Sequence, residues 1–74
     1  MPTKTLTAVI EREGDWYTAL CPELDVASQG RTIEEARRML AEAVELFFEC
    51  ASPEEVKARL HPEVYVTPLE VRIE

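Results

Sequence analysis

The chain has 74 residues, 46% of them hydrophobic and 31% charged, with 15 acidic against 8 basic side chains and a formal net charge of −7. A chain of this length supports one small domain whose modest core leaves little room for deep, water-excluding pockets, so function is expected at the surface. The composition excludes a disordered chain, no run approaches the roughly 18 to 20 apolar residues that span a bilayer, and the acidic balance disfavours phosphate backbones, whose binding is driven by lysine and arginine.

The opening MPTKTLTAVIEREG reaches charge before a signal-peptide core can form, which makes the cytoplasm the expected compartment. Lys4 to Glu13 alternates Leu6, Ala8 and Ile10 with Thr5, Thr7 and Val9, a β-branched pattern suited to a strand. Gly14-Asp15 breaks it, and Trp16 to Cys21 resumes it, so the two runs predict an antiparallel hairpin that Pro22 ends by removing a ladder donor. Trp16 and Tyr17 fall on opposite faces of the second strand, one inward and one outward.

Beyond the corner PEL, Asp25 to Gln29 predicts a short third strand, closed by Gly30 as a position tolerant of positive φ. Thr32-Ile33-Glu34-Glu35 reads as a capping box, with the threonine oxygen accepting from the backbone three residues on and Glu35 reaching back. From Ile33 to about Glu49, Ile33, Ala36, Leu40, Ala43, Val44 and Phe47 recur at helical spacing and form the stripe that should lie on the sheet. Glu34 with Arg38, and Arg38 with Glu42, stand four apart on the solvated side. Met39, Leu46 and Cys50 widen the stripe beyond one sheet contact, to be covered by a second short helix at Pro53 to Leu60 or by a second subunit. Ser52-Pro53-Glu54-Glu55 repeats the capping logic with proline at the first helical position. The tail HPEVYVTPLEVRIE returns to strand periodicity, and its parity shift at Pro68 suits a bulge or an edge strand. The chain reads as a single domain over residues 1–74, with no repeat or linker.

The motifs offer little chemistry. Cys21, Cys50 and the lone His61 lack the short paired spacings of metal sites, so no metal and no cofactor are expected, and the two cysteines read as reduced thiols. Glu34 and Glu35 are explained by the helix start, and Glu23 and Asp25 by their turn. A set of Cys21, Ser28 and His61 has no spacing that brings its members together, and one glycine at position 30 is no phosphate loop. An exposed aromatic at Trp16 or Tyr17 beside acidic groups is a credible protein-contact anchor, with cross-strand packing as its structural counterpart.

The order of pieces resembles the HicB antitoxin family. The resemblance rests on Gly14-Asp15 before Trp16-Tyr17, on Cys21-Pro22-Glu23-Leu24, Ser28-Gln29-Gly30, Thr32-x-Glu34-Glu35-Ala36 and Ala43-Val44-Glu45-Leu46, and spans roughly the first fifty residues. It implies an α+β domain of β-β-β-α-β order, similar to a truncated ribonuclease H-like fold, with one long helix packed on a mainly antiparallel sheet. It also implies a binding role without enzyme activity: restraint of a HicA-like toxin, a small basic protein that cuts messenger RNA, by covering its active site. The candidate contact residues are Trp16, Tyr17, Glu23 and Asp25. The tail reads as the last strand of the same domain and carries no basic cluster, so direct nucleic-acid binding is not expected. A homodimer is expected, because pairing would bury Met39, Leu46 and Phe48. Two rivals are a small metal-dependent hydrolase or nuclease using Asp15, Glu23 or Asp25, and an oligomeric binding module without a toxin.

Overall fold

The computed structural model describes residues 4–74, so the first three residues of the expected domain lie outside it. Strands β1 (Val9–Glu13), β2 (Trp16–Cys21) and β3 (Val26–Gly30) form an antiparallel sheet in that order, followed by helices α1 (Ile33–Cys50) and α2 (Pro53–Arg59). This is a small α+β domain with a three-stranded antiparallel sheet.

The first hairpin closes as its sequence demands. Glu13 pairs with Trp16 across the two-residue loop Gly14-Asp15, and Gly14 alone takes a positive φ of 64°, matching the primed turn that puts glycine first. The second turn, Pro22 to Asp25, puts a non-glycine residue, Asp25, at φ 56°, a conformation its short polar side chain tolerates better than most.

Register sorts the side chains. Ile10 lies beside Ala19 and Ser28, while Cys21 lies beside Val26, and these residues face α1. Ala19, Cys21, Leu24, Ala36 and Leu40 are the buried core, with Leu6, Ile10, Tyr17, Val26, Val44, Phe47 and Leu60 packed around it. Gly30 ends β3 where a Cβ would stand 2.5 Å from the Ala36 nitrogen and 2.8 Å from the Glu35 carbonyl carbon. Its glycine is therefore required by close strand–helix approach, and the positive φ expected of it from the sequence is not the reason.

Helix α1 starts where TIEE places it. The Thr32 hydroxyl accepts from the Glu35 N–H at 3.0 Å, but Glu35 reaches one residue further back, to the Arg31 N–H at 3.0 Å, so the box is not reciprocal. The reciprocal box occurs at α2, where Ser52 and Glu55 exchange bonds of 3.2 Å. The expected stripe holds for Ala36, Leu40, Val44 and Phe47, whereas Ile33 is more than half exposed at the helix entrance. Among the described residues one ion pair forms, Arg38 with Glu42 at 3.9 Å; Glu34 does not join it. Helix α2 leaves Met39 and Leu46 exposed and anchors instead at the β2–β3 turn.

The expected last strand is absent. From His61 onward the chain joins neither helix nor strand, and Tyr65, Val66, Leu69, Val71 and Ile73 stand between 68% and 86% exposed. The apolar alternation is real, but a strand requires a neighbour for its backbone groups, and the tail leaves the β2–β3 corner without lying along either edge of its own sheet.

Candidate functional site

The CPELD corner holds a dense polar cluster. Glu23 is buried at 6% exposure. The Thr7 N–H donates to both of its carboxylate oxygens at 3.0 Å, the Thr7 hydroxyl donates to Oε2 at 2.6 Å, and the Cys21 thiol lies 3.5 Å from Oε1. The backbone of the corner is equally occupied. The Glu23 carbonyl accepts from the His61 N–H at 2.7 Å, and the Leu24 carbonyl accepts from Arg59 Nη2 at 2.7 Å and Nε at 3.2 Å. Arg59 also reaches the Asp25 carbonyl at 3.1 Å and sits 5.3 Å from the Phe47 ring centroid.

The electrostatics follow from these bonds. Burial pushes the Glu23 carboxyl upward, but the hydroxyl and N–H of Thr7, with smaller help from its own backbone and Cys21, overcome it and hold the group below its ordinary value of 4.5. Burial first, and then the Glu23 bond and charge, raise the Cys21 thiol above 9.0. A buried, protonated thiol is a poor nucleophile. The corner is thus a structural lock joining the segment before β1, the β2–β3 turn and the end of α2.

This corrects one candidate. Glu23 reads from sequence as an exposed turn carboxylate, whereas its charge faces Thr7 inside the domain. The other candidates separate. Tyr17 shares the helix-facing side with Ala19 and Cys21 and is half-buried, while Trp16 is on the opposite side, 40% exposed. Asp25 is exposed at the far end of β2 from Trp16. Asp15, in the β1–β2 turn, and Asp25, in the β2–β3 turn, also lie at opposite ends of the sheet, so Asp15, Glu23 and Asp25 do not converge. Among the described residues, no three His, Cys, Asp or Glu side chains come together to hold a metal ion.

The uncovered face of the sheet displays three rows. Glu13 lies beside Trp16, Glu11 beside Thr18 and Gln29, and Val9 beside Leu20 and Ala27. Arg31 continues from β3 and stacks its guanidinium 5.0 Å from the Trp16 ring centroid, a contact that steadies both side chains. Glu11, Glu13 and Arg31 were absent from the sequence-derived candidates; strict alternation back from Trp16 through the hairpin register is the signal that places them on its face. A shallow depression beside the start of α1, outside this face, is lined by Tyr17, Arg31, Thr32, Ile33 and Glu34. No described helix is long and apolar enough to cross a membrane. Comparison of the chain with protein-family models, with curated proteins and with solved structures finds no match.

Proposed function

We propose that this chain is an antitoxin-like binding protein, HicB-like with a truncated ribonuclease H-like fold, that neutralises a small basic HicA-like messenger-RNA-cleaving toxin by covering its active site. The observation that carries the reading is the uncovered sheet face, where the exposed Trp16 is flanked by Glu13 on the neighbouring strand and Glu11 lies one row further in. An aromatic anchor beside acidic groups suits a basic protein surface, and the net charge of −7 steers such a partner toward it. Trp16 and Asp25 bracket this face, about 20 Å apart along a six-residue strand, a span suited to a protein interface. Tyr17 supports it from the helix side, and Glu23 supports it by holding the corner.

The test is association with a basic RNA-cleaving protein encoded beside this chain. The expected result is a complex that protects RNA, with Trp16→Ala weakening it by about 2 kcal/mol or more and Asp25→Asn slowing association. Asn keeps the backbone conformation that position 25 requires, so the second change removes charge alone. Unprotected RNA in the presence of excess folded chain would remove the antitoxin reading. Protection indifferent to both substitutions would remove this face as the contact.

A further inference from the structure

The segment after Leu60 is long and apolar on alternate residues, with Val64 half-buried and every residue from Tyr65 onward exposed. His61 is tied to the Glu23 carbonyl, and beyond it Tyr65, Val66, Leu69, Val71 and Ile73 are exposed to solvent. The molecule is correspondingly drawn out, with a radius of gyration of 14.2 Å and a longest dimension of 48 Å. A compact chain of this length has a radius near 11 Å. In Leu69-Glu70-Val71-Arg72-Ile73-Glu74 apolar and charged residues alternate without exception, the pattern of a strand with one face on a core and one in water. Pro68 stands just ahead of that run, where its missing N–H costs no ladder bond.

The same chain carries a matching vacancy. The edge of β1 is guarded by three consecutive charges, Glu11-Arg12-Glu13, a common device against strand addition. The edge of β3, Val26-Ala27-Ser28-Gln29-Gly30, has neither charge nor proline. Beside it, on the helix side of the sheet, Ser28 of β3 and Met39, Ala43 and Leu46 of α1 line a groove that also takes in Glu42, Glu45 and Glu49. Met39 and Leu46 are 38% and 58% exposed, with no described element over them.

We propose that residues 69–74 of one copy add as a fourth strand to the β3 edge of a second copy, seating Leu69, Val71 and Ile73 in the Ser28–Met39–Leu46 groove. Glu70, Arg72 and Glu74 then face water on the uncovered side of the sheet, beside Ala27 and Gln29. A six-residue run matches a five-residue edge, and because each copy holds both donor and acceptor, a two-fold arrangement satisfies both tails and closes the assembly. The association requires no toxin and leaves Trp16 uncovered.

Sedimentation equilibrium of the full chain tests the assembly. The wild type is expected at twice the 8.4 kDa chain mass. Leu69→Asp with Val71→Asp, and separately Met39→Lys with Leu46→Lys, should each raise the dimer dissociation constant at least tenfold. All four positions are exposed in the single copy, so far-ultraviolet circular dichroism should report an unchanged helix. A wild type that stays at the single-chain mass at several hundred micromolar overturns the proposal, as does a dimer indifferent to the tail changes. A dimer sensitive to the tail but not to Met39 and Leu46 overturns the β3 groove as its seat.

Discussion

Glu23 shows how one side chain can serve the fold while resembling a surface contact. Its carboxylate satisfies the Thr7 N–H and hydroxyl, and its carbonyl holds the first residue of the tail. Because the folded-state value lies below 4.5, the stability it contributes is present above that pH and is lost as pH falls through the folded value. Cys21 acts at the other end of the scale: its thiol is raised above 9.0, so beyond that pH the unfolded chain ionises more readily and stability declines. Glu23→Gln should lower stability at neutral pH by about 1.5 to 3 kcal/mol, the worth of hydrogen bonds to a charged group, and flatten the acid limb. Urea titrations across pH measure both effects, and an acid limb of unchanged steepness in the variant would assign acid sensitivity to other carboxylates.

At the scale of elements, α1 is held by an amphipathic stripe narrower than its sequence suggests. Phe47 and Phe48 meet edge to face at 5.6 Å, yet only Phe47 packs on the core and under Arg59, while Phe48 is 37% exposed. Phe47→Ala should therefore cost about 3 kcal/mol, the low end for an aromatic because the site is half-buried, and Phe48→Ala should cost under about 1 kcal/mol. Thermal or urea unfolding ranks the two. The reverse order would show that the helix presents its other aromatic to the core, rotated from the face seen here.

For the whole molecule, charge sets two responses of opposite sign. Two copies, each at −7, repel one another, and the β3 groove takes in Glu42, Glu45 and Glu49, so self-association through the tail should tighten as salt rises from about 0.05 to 0.5 M, where screening shortens the reach of charge to a few ångströms. Binding of a basic protein at the Trp16 face should instead slow over the same range, because its association is steered by attraction. Sedimentation and stopped-flow mixing with and without salt separate them. A dimer weakened by salt would mean that unlike charges hold it, which would set Arg72 of the tail against the groove glutamates rather than on the uncovered side of the sheet.

The hairpin, the second strand and both helix starts were legible because each is written in local chemistry: Gly14-Asp15 permits the tight turn, while Thr32 and Ser52 supply oxygens to exposed helix N–H groups. The opposite facing of Trp16 and Tyr17 followed from the two-residue period of a strand. The burial of Glu23 was not legible, since a carboxylate in a turn has the same sequence pattern whether it meets water or a threonine sixteen residues away. Gly30 was legible as a needed glycine but for the wrong reason, because the approaching backbone of Ala36 appears only when helix and sheet pack. The tail marks the same boundary. Alternation from Leu69 to Ile73 determines which side chains share a face, but only the tertiary structure decides whether a sheet edge takes them up, and among the described residues the tail pairs with none.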